Sequence, residues 1–443
     1  MAVNRQVLVR CSAVGACAAS ALAPALAAAT PLLPHQVPLR LDAAACAWIM
    51  VSTALVLLMT LPGLALFYGG MVRRKNVLAT VAQAVAVAAV VTICWFALGY
   101  SLAFGKNLDP NLDSVIGSLD ALFLGGLTPA TAHRLTPGLP EALWISYQLT
   151  FAIITPALVI GSFAERFRFS ALLLFSALWL VFVYAPIAHW VWAGGFLASA
   201  GVLDFAGGAV VHVNAGVAGL VCALFVGPRH GYGREMMAPH NLVLTGVGAS
   251  MLLIGWIGFN AGSAWAADAI AAFALLNTLI AAAAGAAGWM LFEWIERKKP
   301  TLLGLVTGMV GGLVGITPAA GLVEPPSGFL IGFVSGPACY LGAVWLKRLL
   351  KYDDSLDAFG VHGIGGLIGA LLTGVFATAA VNPAVAQPSV VKQLWGLLWV
   401  IGWSALATYL ILWVCKLTTG LRVERRDEVE GLDLALHGEA VRE

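Results

Sequence analysis

The sequence predicts an all-α polytopic membrane protein with eleven transmembrane helices. Hydrophobic residues make up 60% of the 443 residues, charged residues make up only 10%, and the mean hydropathy is +0.90. A soluble chain of this length would need far more charge on its surface. Eleven apolar runs are long enough to cross a bilayer, and basic residues collect in alternate connections between them. We therefore expect neither a soluble catalytic domain nor a nucleic-acid partner.

The N-terminal residues have the features of a secretory signal peptide. Arg5 and Arg10 precede an apolar stretch of small residues, which ends in cleavage-like alanine triplets near Ala29. The seven cysteines of the chain show neither a disulfide framework nor metal-ligand spacing. The predicted order is a signal peptide over 1–29, an external N-terminal segment over 30–42, the eleven-helix domain over 43–415 and a cytoplasmic tail over 416–443.

Each transmembrane helix is predicted from an apolar run of about 20 residues, which crosses the hydrocarbon core at ~1.5 Å per residue. The segment 103–140 is rich in proline and glycine and is typical of an ordered outer loop. The runs lie at 43–68, 77–101, 141–163, 169–191, 205–227, 242–263, 268–294, 301–320, 327–346, 359–380 and 393–415.

The basic residues predict the orientation of the chain. The connections after the odd-numbered runs and the C-terminal tail together hold eighteen lysines and arginines, whereas the opposite connections and the segment 30–42 hold four. Positive residues are retained on the cytoplasmic side of a membrane. We therefore predict a multi-pass protein of the cell (inner) membrane with its mature N-terminus outside and its tail in the cytoplasm. Glu165, Arg166 and Arg168 are expected to form a solvated corner on the cytoplasmic side.

The fifth run contains a histidine. It has no charged residue and nevertheless includes His212, and an imidazole within lipid has to find a partner or face a cavity. Gly216 and Gly219 follow four and seven residues later, so on a helix they share the face of His212, where another helix can approach closely. Taken alone, such a histidine is equally well interpreted as a packing residue bonded to a neighbouring carbonyl.

The same spacing recurs in the tenth run. His362, Gly366 and Gly369 repeat the pattern 150 residues later, and this repetition favours a functional role. A repeat of five helices is odd-numbered, so the second copy must be inverted in the membrane, as in transporters whose substrate site lies where the halves meet. We therefore predict two inverted five-helix repeats plus an extra C-terminal helix, with His212 and His362 side by side.

Several stretches resemble the ammonium transporter (Amt) family, which is related to the Rhesus proteins. The resemblance is collinear from the first helix to the tail, and it is more specific than any single motif. The stretches are PGLALFYGGMVRRKN (62–76), FAERFRFS (163–170), PIAHWVWAGG (186–195), DFAGGAVVHVNAGVAGL (204–220), IGWIGFNAGSA (254–264), FGVHGIGG (359–366), and GLRV and GLDLALHGE in the tail.

This resemblance implies ammonium uptake by a homotrimer with one pore per subunit. It also implies which residues lie along the path of ammonium through the protein. In the family, a tryptophan and a serine recruit the cation outside, two phenylalanines close the outer mouth, twin histidines line the pore, and an aspartate begins the fifth helix. The matching residues are Trp192 and Ser263, Phe151 and Phe259, His212 and His362, and Asp204; Trp256 lies along the same route, and Tyr147 stands where relatives often have a phenylalanine.

Several of these residues also have an ordinary structural interpretation. Trp192 fits an interfacial tryptophan, and Ser263 fits a small packing residue. Asp204 precedes a helix, where a carboxylate caps free N–H groups, and we prefer this role to proton transfer. Asp357, five residues before His362, is expected to do similar work at the tenth helix.

The absence of a carboxylate from the middle of the fifth and tenth runs predicts how ammonium crosses. An isolated ion in an apolar pore costs on the order of tens of kcal/mol by the idealised Born estimate. We therefore expect conduction as ammonia plus a separately relayed proton, with the two histidines neutral as a pair.

The tail implies a partner in nitrogen metabolism. By resemblance, Gly431-Leu-Asp433 and the basic loops form a docking face for a PII-type signal protein. The tail ends without the tyrosine that relatives commonly carry after His-Gly-Glu, which puts any regulation through that tyrosine in doubt.

Three other functions remain open. A membrane metalloenzyme would use His212 and His362 as ligands, but a catalytic zinc takes three protein ligands and the two runs supply no third. An ammonium sensor would be expected to carry an appended signalling domain, and only 28 residues follow Cys415. A Rhesus-type gas channel is the closest alternative, although Trp192 and Phe151 favour the Amt branch. We predict a transporter rather than an enzyme, with no cofactor and no metal.

Overall fold

The computed structural model describes residues 32–441, so the predicted signal peptide, 1–29, lies outside the described residues. Within this part of the chain, ten helices are long and apolar enough to cross a membrane, and a shorter apolar helix of 15 residues occupies the position of the eighth predicted run. The predominantly helical, multi-pass character is confirmed. The count of eleven crossings stays a prediction.

The helices are numbered here in chain order. They are α1 (Ala43–Met71), α2 (Arg74–Phe104), α3 (Glu141–Phe163), α4 (Phe169–Ser199), α5 (Gly208–Val226), α6 (Leu242–Gly262), α7 (Ala269–Arg297), α8 (Leu302–Ile316), α9 (Pro325–Leu350), α10 (Phe359–Phe376), α11 (Val390–Thr418), α12 (Arg425–Glu430) and α13 (Leu432–His437). Two short strands, β1 (Gln36–Pro38) and β2 (Thr131–His133), pair antiparallel with Gln36 opposite His133.

Polar residues just outside the apolar runs explain where many helices begin. A side-chain oxygen accepts a hydrogen bond from the backbone N–H three residues later at the start of five helices, which satisfies a donor that the helix itself leaves free. These caps are Asp42 for α1, Asn241 for α6, Asp268 for α7, Thr301 for α8 and Ser389 for α11.

Six of the described helices contain a π-helical segment. The segments in α5, Gly208–Val213, and in α10, Phe359–Gly363, include the two pore histidines predicted from the sequence. The others lie in α1, α2, α4 and α9. A π-helical turn adds a residue to the helix and so changes the direction of the side chains around it.

Glycines allow the close contact between α5 and α10. A Cβ added to Gly216 of α5 would lie 2.2 Å from the backbone nitrogen of Gly363 in α10. In the reverse direction, a Cβ on Gly366 of α10 would lie 2.9 Å from the carbonyl oxygen of Gly208. The two histidine helices therefore pack backbone against backbone, as small residues permit in membrane helices.

The connections after α1, α3, α5 and α9 meet the tail on one face, which we call the basic face. Asp433 of α13 accepts a hydrogen bond from the backbone N–H of Ala79 in α2, and Arg168 N–H donates to the carbonyl of Leu421. Glu165 and Arg166 are buried here, with 1% and 0% exposure. The expectation of a solvated corner at these two residues is wrong, because both bond to neighbouring connections.

Candidate functional site

A cavity of about 210 Å³ opens on the face opposite the basic face. It lies where α3, α4 and the C-terminal end of α6 meet. Six of its nine lining residues are aromatic, and none of the nine carries a charge. They are Leu135, Trp144, Tyr147, Gln148, Phe151, Trp192, Phe205, Ser263 and Trp265.

Trp192 and Asp204 are joined at the edge of this cavity. The indole N–H of Trp192 donates to the carbonyl oxygen of Asp204 at 2.9 Å, which fixes the direction of the ring. The Asp204 carboxylate accepts four backbone N–H groups, from residues 207 to 210, at 2.6–3.0 Å. Burial raises the pKa of Asp204, and the four N–H groups oppose this effect. The four contacts of the carboxylate are those of a cap on the first turn of α5.

Asp354 makes the corresponding cap on α10. Its two carboxylate oxygens accept the N–H groups of Ala358 and Phe359 at 3.0 and 2.8 Å. Asp354 precedes His362 by eight residues, as Asp204 precedes His212. The expectation that Asp357 caps α10 is wrong: Asp357 has a φ of 60° and pairs with Lys347. The interval of 150 residues that relates the histidines also relates the two capping aspartates, and it is the signal that identifies Asp354.

Phe151 and Phe259 lie between the cavity and the histidines. Their ring centroids are 4.2 Å apart with the planes tilted by 30°, and the two side chains are 2% and 0% exposed. Phe151 also meets Trp192 edge to face at 5.7 Å, and Phe259 lies 5.9 Å from His212. The two phenylalanine rings thus separate the aromatic cavity from the interior of the helix bundle.

His212 and His362 lie side by side in the interior. Their Nδ1 atoms are 3.3 Å apart and their rings are nearly parallel, 5.3 Å between centroids. A contact between two ring nitrogens needs one donor and one acceptor, so the shared hydrogen bond requires one imidazole to carry its proton on Nδ1 and the other to have a free Nδ1. The Nε2 atom of His212 has no hydrogen-bond partner among the described residues.

Trp256 completes a row of stacked rings with the two histidines. Its ring lies 5.3 Å from that of His212 and is inclined by 25°. The indole N–H donates to the hydroxyl of Thr317 at 2.9 Å, and this hydroxyl donates to the carbonyl of Leu313. Thr317 was not singled out from the sequence, since a threonine at the end of an apolar run carries no distinguishing signal.

Tyr147 and Ser263 meet beside the phenylalanines. The hydroxyl of Tyr147 donates toward the carbonyl oxygens of Gly258 and Phe259, at 2.8 and 3.0 Å, and lies 3.4 Å from the Ser263 hydroxyl. Ser263 donates to the Phe259 carbonyl at 2.8 Å, which leaves its oxygen able to accept. The ring of Tyr147 lines the cavity while its hydroxyl is directed at the backbone of α6.

A column of stacked rings, which the sequence did not indicate, forms another wall of the cavity. Trp265 stacks on Trp144 at 4.0 Å, and Trp144 stacks on His133 at 4.5 Å. Trp265 comes directly after the stretch IGWIGFNAGSA, but one tryptophan among fifteen shows no pattern that places it at a site.

Within residues 32–441, no group of three or more His, Cys, Asp or Glu side chains is arranged to hold a metal ion. The described neighbours of the histidine pair include aromatic residues and glycines.

Comparison with known proteins relates most of the chain to one family. Residues 47–442 match the model of the Ammonium Transporter Family. The ammonium transporter of Bacillus subtilis is 45% identical over 402 residues, which cover 88% of this chain and 96% of that protein. The putative ammonium transporter of Methanothermobacter thermautotrophicus is 43% identical over 409 residues, covering 90% and 98%.

Solved structures give the same relation. The crystal structure of Saccharomyces cerevisiae Mep2 superposes with a TM-score of 0.80 at 37% identity, covering 87% of this chain and 91% of that one. A structure described as a sensor Amt protein superposes with a TM-score of 0.81 at 28% identity, covering 89% and 98%.

Proposed function

The chain belongs to the ammonium transporter family, and we propose that it takes up ammonium through the route from the aromatic cavity to the histidine pair. The observation that carries the proposal is the buried contact between His212 and His362. Two phenylalanine rings in contact separate this pair from an uncharged aromatic cavity. No cofactor is needed for this function.

The cavity would recruit the cation. An aromatic face attracts a desolvated monovalent cation by ~0.5–2 kcal/mol, and Trp192 offers such a face with its N–H already bonded elsewhere. Ser263 can accept an N–H group of ammonium, because its own proton is donated to the Phe259 carbonyl. Phe151 and Phe259 then exclude bulk water from the interior.

The histidines would accept the nitrogen as ammonia. An isolated cation deep in the apolar bundle costs on the order of tens of kcal/mol in the idealised Born limit, so ammonium has to give its proton to a nitrogen of the histidine pair as it passes the phenylalanines. Two facing imidazoles repel if both are protonated, and burial disfavours charge on either ring, so a pair that is neutral at rest offers ammonia both donors and acceptors. The same pair relays the proton separately. Potassium has no proton to give and is refused.

The architecture proposed for this route is a pair of inverted five-helix repeats with α11 outside them. The features that support it recur at an interval of 150 residues: the histidine, its glycines, the capping aspartate and the π-helical segment around the histidine. We also propose eleven crossings, cleavage of the signal peptide, a mature N-terminus outside an inner membrane and a homotrimer with one pore per subunit.

The test is purified protein in liposomes, with the current and the internal pH recorded together while ammonium is applied. Replacing His212 and His362 by leucine should reduce the ammonium-driven current at least ~10-fold, since a barrier rise of 1.4 kcal/mol already has that effect. His212→Glu should admit potassium by supplying the missing counter-charge. His240→Leu, between α5 and α6, is the control.

The same experiment, with a binding measurement and a metal analysis of the purified protein, separates the alternatives. A double variant that keeps the wild-type ammonium current and selectivity would remove the histidines from the mechanism. A pH change without current would indicate a Rhesus-type gas channel. Ammonium binding without flux, with binding measured by calorimetry, would indicate a sensor, and the similarity to a sensor Amt structure supports this candidate. Stoichiometric zinc that is lost on mutation of either histidine would revive the metalloenzyme.

We further propose that the basic face binds a PII-type signal protein. The tail is attached to this face on both sides of Gly431: Leu432 N–H donates to Asn76, and Lys75 contacts the carbonyl of Val429. A chain truncated after Gly420 should lose a PII-type partner in a pull-down from membranes of cells at low nitrogen demand. Equal recovery with the full-length and truncated chains would refute this partner.

A further inference from the structure

The cavity is larger than one ammonium ion requires. Its volume of about 210 Å³ compares with ~30 Å³ for a molecule the size of water. Because the lining has six aromatic side chains and no charged one, a cation in the cavity meets aromatic rings rather than a counter-ion. An uncharged aromatic enclosure is the environment that recognises alkylated ammonium ions.

Trp265 occupies a strained place in this wall. Its backbone has a φ of 61°, a left-handed conformation that a bulky residue rarely adopts. Such a conformation is strained and persists only where the surroundings hold it. Here the ring stacks on Trp144 at 4.0 Å and meets Tyr147 edge to face at 5.0 Å. The protein thus holds an indole where a glycine would fit the backbone without strain.

The ring column behind Trp265 carries no charge. The Nε2 of His133 faces the carbonyl of Phe104 at 3.1 Å and has to donate, while its Nδ1 accepts the N–H of Leu135 at 3.3 Å. These two bonds define one neutral tautomer. Burial lowers the pKa of His133 to about 3, so the ring stays neutral over the physiological range. A cation in the cavity therefore meets no repulsion from this histidine.

We propose that Trp265 is a further cation-recognition residue of the cavity, and that with it the cavity binds quaternary ammonium ions, which cannot be transported. The proposal rests on the proposed ammonium route. A tetramethylammonium ion has no N–H for Ser263 and no proton to leave, so the aromatic faces alone hold it. Phe151 and Phe259, 4.2 Å apart, stop it from reaching the histidines. It is therefore a competitive blocker of ammonium current.

The experiment measures the tetramethylammonium concentration that halves the ammonium-driven current in liposomes. In Trp265→Gly this concentration should rise about tenfold, which corresponds to ~1.4 kcal/mol and lies within the range of one cation–π contact. Trp265→Phe keeps a smaller aromatic face and should give an intermediate value. Trp399→Leu is the matched control, because this tryptophan is 49% exposed and packs on Phe196 away from the cavity.

Three outcomes decide the proposal. A graded loss of block across the wild type, Trp265→Phe and Trp265→Gly supports it. Equal block in all three, or a wild-type ammonium current that tetramethylammonium does not reduce, overturns it. If the wild type carries no ammonium current, the proposed transport fails instead. Calorimetric titration of the wild type and Trp265→Gly with tetramethylammonium then still tests the site. Equal affinities overturn the proposal, and a tenfold difference supports it.

Discussion

At the scale of single residues, Tyr147 shows how a hydroxyl is kept away from the cavity that its ring lines. The hydroxyl donates to carbonyl oxygens of α6, and the side chain is fully buried. We predict that Tyr147→Phe lowers the free energy of unfolding by about 1 kcal/mol, the net value of such a hydrogen bond. Half-saturation for ammonium should change less than about twofold, because the ring remains.

The measurement is SDS-induced unfolding of purified protein, together with liposome currents. Tyr184→Phe is the matched control: the Tyr184 hydroxyl is equally buried but has no hydrogen-bond partner among the described residues. Its removal should be neutral or stabilising. A large rise in half-saturation for Tyr147→Phe alone would show that the hydroxyl contacts the cation.

Residue spacing predicts only those parts of the site that repeat. The contact of His212 with His362 follows from two matching patterns on small-residue helix faces, and the same interval would have identified Asp354 in place of Asp357. Trp144 and Trp265 could not be found in this way. Their stacking depends on a connection folding back between two distant helices, and nothing in the local sequence encodes that approach.

At the scale of helices, the contact of α5 with α10 depends more on Gly216 than on Gly219, which lies one turn further along α5. A Cβ on Gly216 would lie 2.2 Å from a backbone nitrogen of α10, which cannot yield without moving the helix. A Cβ on Gly219 would meet side chains of Ser162 and Ala358 at 3.3–3.5 Å, which is close to ordinary contact.

We therefore predict different effects of the same substitution at these two positions. Gly216→Ala should separate α5 from α10, break the 3.3 Å histidine contact and reduce the ammonium current at least ~10-fold, while Gly219→Ala keeps most of it. Liposome currents, normalised to the amount of folded protein, measure both variants. Equal currents for the two would show that the histidine contact tolerates a shifted helix.

Helix positions follow from apolar runs and polar caps, so the sequence predicts them well. Asp42, Asn241 and Ser389 begin helices because each is the polar residue just before an apolar run. The π-helical segments carry no comparable signal. A π-helical turn is short and rare, and neither a capping residue nor an apolar period marks it in a sequence.

At the scale of the whole molecule, a buried ionic cluster on the basic face joins connections that are far apart in the chain. Arg229, after α5, donates to both oxygens of Asp353, after α9, at 2.8 and 2.9 Å. It also lies 3.5 Å from Glu165, after α3, which in turn binds Arg73, after α1. Of these residues, Glu165 was predicted from the sequence to lie in a solvated corner, because a charge in a loop gives no sign of being enclosed by other loops.

The cluster lowers the pKa values of its two carboxyl groups. Burial raises the pKa of Glu165, but the charges of Arg229 and Arg73 more than offset it and bring the pKa below its usual value. For Asp353, burial is likewise outweighed by its hydrogen bonds to Arg229 and by the nearby guanidinium charges. A carboxyl group whose pKa is lower in the folded than in the unfolded protein stabilises the fold at pH values above its unfolded pKa of about 4. This stability is lost as the pH falls through the lower pKa of the folded state.

We predict that Arg229→Met lowers the free energy of unfolding at pH 7 by about 3–5 kcal/mol, because it leaves buried carboxylates short of a counter-charge. The pKa values of Glu165 and Asp353 should then rise in the folded variant, so acidification protonates them and the deficit in unfolding free energy relative to the wild type should shrink as the pH falls toward about 5.

Arg297→Met is the control: Arg297 is 46% exposed and lies 3.8 Å from Glu293, and an exposed pair is worth less than about 1 kcal/mol. SDS-induced unfolding at several pH values measures both variants. A deficit for Arg229→Met that is as small as the control, or that grows on acidification, would mean that the loops of the basic face are held together by packing rather than by this charge.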